Sequence, residues 1–115
     1  MQTFLTKERA ALKICLIHAI EQNPSYGWAY RSSIAETTAG FSPSKSETYK
    51  ALHELAAAGI VRRTKRLRNE GGFQEIIVYT FAADGYAKAQ QYKQLVKTDL
   101  ERSRTLIDHL LKHCF

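Results

Sequence analysis

Arg62, Arg63, Lys65, Arg66 and Arg68 crowd one short segment of this 115-residue chain, offset only by Glu70 just beyond them. Guanidinium groups present planar arrays of donors that match phosphate oxygens, and lysine acts toward the same target as a point charge. A basic segment this dense, on a chain of formal net charge +6, points to a polyanionic partner, of which nucleic acid is the commonest. A second donor set lies upstream. Ser46, Lys50 and His53 share one side of a helical pattern with Glu47 and Glu54, and Lys45 stands at its tip. Lysine and serine can reach guanine acceptors or phosphates from such a position. Lys7 and Arg9 form a third, smaller group.

Catalytic and metal chemistry find little support. His18 has no carboxylate or cysteine at a telling spacing, and His53 fits a binding face better than a catalytic one. His109 and His113, four residues apart, have only Asp108 as a neighbouring carboxylate, which is thin for a metal site. Cys15 and Cys114 stand at opposite ends of the chain without a CxxC or a Cys/His cluster, so each reads as a buried or interfacial thiol. Gly71-Gly72 is a turn and not a phosphate loop, because no helix start with Lys-Ser/Thr follows it. No catalytic residue, metal or cofactor is expected.

The elements that must position these cations follow from periodicity. Leu12, Cys15, Leu16, Ala19 and Ile20 predict a helix over about 6–21, with Thr6 as N-cap and Asn23-Pro24-Ser25 as its break. A second helix is predicted over about 27–38, burying Trp28, Ile34 and Ala35 and ending at Ala39-Gly40. A third spans 44–58. Ser44 and Glu47 have capping-box spacing, Tyr49, Leu52, Leu55 and Ala56 make its apolar stripe, and Gly59 suits its C-terminal cap. Two β-prone runs then flank Asn69-Glu70-Gly71-Gly72 and predict a hairpin whose apolar second strand packs on the helices. Alternation along the first strand sends Arg62, Arg66 and Arg68 to one face and Arg63 and Lys65 to the other.

From 83 to 114 a single long helix is predicted, about 45 Å in length. Ala89, Tyr92, Val96, Leu100, Ser103, Ile107, Leu110 and Cys114 recur three or four residues apart and form one stripe along it. The rest of the chain is too small to cover that length, so Tyr92 through Cys114 are expected to pair with a second copy. Taken in order, these elements specify one α+β domain over 1–115. It is a winged helix of three helices and a β-hairpin wing, followed by a C-terminal dimerisation helix. In such a domain the helix over 44–58 enters a major groove of double-stranded DNA. Arg62, Lys65, Arg66 and Arg68 of the wing meet the flanking phosphates or a minor groove.

Composition sets outer limits. An apolar fraction of 44% and a charged fraction of 24% belong to a globular protein. No apolar run approaches the roughly 18–20 residues that span a bilayer, and the N-terminus lacks the pattern of a secretory signal. A cytoplasmic, nucleoid-associated location is the expectation, with no membrane and no small-molecule substrate among the partners.

Three blocks carry a family resemblance: Ser46 to Leu55 running on through Gly59-Ile60, Gln74 to Phe81, and Leu95 to Phe115. The pattern YxxLHEL followed by QEIIVYTF resembles the bacterial replication terminator proteins, and the likeness of Leu5 to Gln22 and of Tyr26-Gly27 extends it over nearly the whole chain. Relative to that family, the arm before the first helix is short and the segment from Tyr26 to Gly40 is slightly compressed. The resemblance implies a symmetric homodimer joined by antiparallel pairing of the long helices as a coiled coil. It also implies two dimers on adjacent halves of a terminator site and arrest of a replicative helicase coming from one side. By position it places DNA contacts on Lys7, Arg9, Lys45, Ser46, Lys50, Arg62 and Lys65. Two other functions fit the same residues: a dimeric PadR-like transcriptional repressor, and a module whose basic hairpin meets an acidic protein.

Overall fold

A computed structural model describes residues 2–22, 30, 34–35, 38, 42–67 and 75–115, with side chains from Glu8 onward in the first helix and without that of Leu67. Among these residues it contains three helices and one two-stranded antiparallel sheet. Helix α1 runs Gln2–Gln22, α2 Lys45–Ala57 and α3 Gly85–His113; strand β1 is Val61–Leu67 and β2 Glu75–Phe81. The α+β winged-helix class is thus the observed one.

Helix α1 begins earlier than Thr6, which lies inside it and not at its cap. Nothing between Gln2 and Leu5 obstructs a helix, so the hydroxyl of Thr6 is not needed to start one. Leu12, Cys15, Leu16, Ala19 and Ile20 are all buried as their spacing predicts, and Ile17 joins them. Of the segment 27–38, Ile34 is buried, Ala35 half-buried and both are helical, and Thr38 donates from its amide and its hydroxyl to the Ile34 carbonyl. Trp28 and the Ala39-Gly40 stop lie outside the described residues, whereas Tyr30 is a buried core aromatic.

The start of α2 follows its capping signal with one change. Ser44 Oγ accepts from the Glu47 amide at 3.1 Å and donates to the Glu47 carboxylate at 3.2 Å. The carboxylate therefore holds the hydroxyl and not the Ser44 amide. Thr48, Ala51, Leu52 and Leu55 are buried against α1, with Tyr49 and Ala56 half-buried beside them. At the other end, Gly59 takes φ +78°. Its amide donates to the Ala56 carbonyl and that of Ile60 to the Leu55 carbonyl, both at 3.0 Å. This pair of bonds is a Schellman motif, sealed by the buried side chains of Ile60 and Leu55.

The chain leaves that turn directly into β1, which pairs with β2 from Val61↔Phe81 to Leu67↔Glu75. Residues 68–74, including Arg68 and the predicted turn, lie outside the described residues. Val61, Val78 and Tyr79 are buried, while Arg62, Arg63, Lys65 and Arg66 are exposed. Beyond β2, the Ala82 amide donates to the Ile60 carbonyl at 3.0 Å, and α3 begins at once.

Gly85 makes that close approach possible: a Cβ on it would stand 2.1 Å from the Ile60 oxygen. Gly85→Ala is therefore expected to cost about 1–3 kcal/mol, read as a lower thermal midpoint. Asp84, which carries φ 60° without a capping hydrogen bond from its side chain, should tolerate glycine within about 1 kcal/mol. A Gly85→Ala chain as stable as the parent would show that the Ile60 carbonyl is free to move aside.

Candidate nucleic-acid interface

Helix α2 buries one face and presents the other. With Ala51, Leu52 and Leu55 at 1% exposure or less, the spacing of 3.6 residues per turn turns Lys45, Ser46, Lys50 and His53 outward, and all four are exposed. Strand β1 is separated from α2 by three residues and carries Arg62, Lys65 and Arg66, likewise exposed. Directly opposed residues point to the same side of a sheet. The register therefore groups Arg62 and Arg66 with Thr80 and Ile76, and Arg63 and Lys65 with Tyr79 and Ile77.

The cations divide into engaged and available ones. Arg9 Nη1 donates to both carboxylate oxygens of Glu54, at 2.9 and 3.2 Å, and Lys13 Nζ lies 3.0 Å from Glu54 Oε2. The hydrogen bond from Lys13 foremost, with that of Arg9, holds the Glu54 carboxyl below its ordinary value. Lys13 Nζ also stands 6.0 Å from the centroid of the Tyr92 ring. Burial raises the phenol of Tyr92, and the Glu54 carboxylate adds to the effect. Arg63 is placed beside the hydroxyl of buried Tyr79, whose titration burial pushes up against the pull of that guanidinium. Lys45, Lys50, Arg62, Lys65 and Arg66, in contrast, form no ion pair with another described residue.

One of the expected contact residues, Arg9, therefore stands differently from the rest. It shares the Glu54 carboxylate with Lys13, so a phosphate would have to compete with that carboxylate. Glu54, grouped by spacing with the outward face of α2, leans back onto α1. The side chain of Lys7 and all of Arg68 lie outside the described residues. The Glu54 cluster escaped sequence reading because its partners lie 45 positions apart. No local periodicity signals such a pairing.

Helix α3 carries the other candidate surface. Ala89 and Val96 are buried, and half-buried Tyr92 packs on the core, so the first turns of the predicted stripe are covered by the chain's own domain. Lys93 forms an ion pair with Glu21 that pins this stretch to α1. Past Val96 the cover ends. Leu100, Leu106, Ile107 and Leu111 are exposed, Ser103 and Leu110 half-buried, and Cys114 exposed. Between α1 and α3 lies an open groove of about 550 Å³, floored by Ile14, Cys15, Val96 and Leu100. Burial pushes the Cys15 thiol upward. Among the described residues no helix is long and apolar enough to cross a membrane.

Known proteins match along nearly the whole chain. The model of the replication terminator protein family matches residues 3–115. The replication termination protein of Bacillus subtilis is 36% identical over 97% of this chain and 92% of its own length, and that of Bacillus vallismortis matches equally. Among solved structures, a Thermoplasma acidophilum protein described as a candidate transcriptional regulator superposes with a TM-score of 0.70 at 23% identity, over 93% of this chain and 96% of its own. A PadR-like transcriptional regulator from Bacillus cereus gives 0.62 at 18% identity, over 84% and 90%. At such identities the two structures establish the fold alone.

The Glu54 cluster makes stability depend on pH. A carboxyl that titrates below its ordinary value in the folded chain stabilises fully above the ordinary carboxylate range, and that contribution is lost as pH falls through the depressed folded value. The gap in thermal midpoint between the parent and Glu54→Gln should be widest near neutrality and close in acid. On this half-exposed side chain it corresponds to no more than about 1 kcal/mol. A gap that widens on acidification would overturn the assignment.

Proposed function

The chain belongs to the replication terminator protein family, and from that membership we propose that it binds specific sites on duplex DNA as a homodimer, with cooperating dimers at a terminator site halting a replicative helicase that arrives from one side. The observation that carries the DNA reading is the division of cations. Five exposed ones on α2 and β1 are left unneutralised by any described residue, while Arg9 and Lys13 are paired. In this reading α2 enters the major groove with Lys45 and Ser46 foremost and Lys50 and His53 along the same side. Arg62, Lys65, Arg66 and Arg68 of the wing neutralise flanking phosphates, and Lys7 and Arg9 add contacts from α1. The protein acts by occupying DNA and not by catalysis, without a cofactor, in the cytoplasm at the nucleoid.

Dimerisation is proposed through α3. Leu100, Ile107 and Leu111 keep 41%, 39% and 62% of their surface exposed, and covering that remainder would contribute roughly 0.5–2 kcal/mol for each. Antiparallel pairing of two such helices would cover Leu100, Ser103, Ile107, Leu110 and Cys114, with the groove beside Ile14 and Cys15 continuing the same apolar surface. Tyr92 and Val96 then support the seam from below, since their own domain already packs on them.

A second reading, a dimeric repressor, is favoured by the shared fold of the PadR-like regulator. Selection of bound fragments from a genomic pool separates the two. Paired inverted half-sites in terminus or plasmid DNA, with arrest in only one fork orientation, support the terminator. Promoter-proximal sites support the repressor, and absence of selective duplex binding refutes both in favour of a protein partner.

Lys50→Ala and Arg62→Ala should each abolish selective duplex binding in a mobility-shift titration while leaving the dimer intact; affinity within about twofold of the parent would mean that the DNA face is misassigned. Leu100→Asp and Ile107→Asp should each give a monomer by light scattering, because each places a charge in the proposed seam. Persistence of the dimer in both variants would place the interface elsewhere.

A further inference from the structure

We propose that His109 and His113 form a surface clamp for a late first-row divalent cation of the Zn²⁺, Ni²⁺ or Cu²⁺ class. Spacing alone left this pair without a carboxylate to complete it, but the geometry supplies what two ligands need. Both imidazoles are exposed, and their centroids lie 5.8 Å apart with the rings inclined at 45°. The backbone between them is regular helix: α3 continues through His113, and the Cys114 amide still donates to the Leu110 carbonyl at 2.9 Å. Residues four apart on a helix stand on one face, a turn above one another. An ion held about 2.1 Å from one nitrogen of each ring would bring the centroids to about 4.5 Å in a square or octahedral arrangement and about 5 Å in a tetrahedral one. The observed separation closes to that range by small rotations of two unhindered side chains.

Nothing competes for the two rings. Neither forms a hydrogen bond or ion pair with another described residue, so no interaction is lost on binding. The pair occupies the last turn of a 29-residue helix, where the unsatisfied carbonyls favour positive charge. Imidazole nitrogen selects zinc, nickel and copper over magnesium and calcium, which prefer oxygen. Among the described residues no third His, Cys, Asp or Glu completes a cluster, so water fills the remaining positions and the ion exchanges freely. The inference rests on α3 alone and stands apart from the DNA reading; the two histidines flank Leu110 and Cys114 of the proposed seam, so the assembled protein is the one titrated.

The test is titration of the untagged full chain with Ni²⁺ alone, by calorimetry at mildly alkaline pH. His109→Ala, His113→Ala and, as a control, His18→Ala are titrated in parallel. The expected result is one ion per chain, with affinity lowered about tenfold or more by either clamp substitution and unchanged by His18→Ala. Far-ultraviolet circular dichroism confirms that α3 persists in each variant. Absence of saturable binding up to about 1 mM Ni²⁺ overturns the proposal. So does unaltered binding in His109→Ala or His113→Ala, and so does a ratio of one ion to two chains, which would place the ion between copies.

Discussion

Ile60 joins the end of α2, the end of β2 and the start of α3. Its amide closes the end of α2 on Leu55, its carbonyl accepts from Ala82 at the end of β2, and its side chain is buried in the core. Gly85, the first residue of α3, lies against that same carbonyl with no room for a Cβ. One residue thus fixes how β1 leaves the helix that carries Lys45, Ser46 and Lys50, and where the long C-terminal helix starts. The direction of the basic strand and the departure of α3 are both consequences of this junction.

Around it the charges are allotted with a clear asymmetry. Glu54 draws Arg9 and Lys13 onto the seam between α1 and α2, and Glu21 draws Lys93 onto the seam between α1 and α3. These pairs are partly exposed, so each adds little to stability. They hold Arg9, Lys13 and Lys93 on those seams, while the cations of α2 and β1 stay exposed. On a chain of net charge +6, exposed cations thus line α2 and β1, and others line α3.

Helix α3 serves two environments in sequence. Up to Val96 it is a core element, pinned by burial and by Lys93; beyond Val96 Leu100 only borders the groove beside α1, and Leu106, Ile107 and Leu111 are exposed. The longest dimension of the molecule, 62 Å against 28 and 22 Å, reflects this extension. An isolated helical arm is held by backbone hydrogen bonds and by whatever covers its stripe. The exposed leucines therefore bear on assembly more than on the fold of the chain itself.

Residue order by itself determined the elements that the structure describes and the caps of α2, though not the start of α1. Ser44 and Glu47 at capping spacing, Gly59 after an apolar stripe, and the burial of Leu12, Leu16, Leu52 and Leu55 are all local consequences of 3.6-residue periodicity and backbone freedom. The motifs from Ser46 to Phe81 also identified the family. Tertiary structure alone decided which cations remain available and which part of the α3 stripe is already used. Both depend on neighbours far apart in the chain: Glu54 faces Arg9 across 45 positions, and Val96 meets α1 from the opposite end of the domain. Periodicity specifies which way a side chain points along its own element. What that side chain meets is set by packing, and here packing set Arg9, Lys13 and Lys93 against carboxylates and divided the long helix into core and arm.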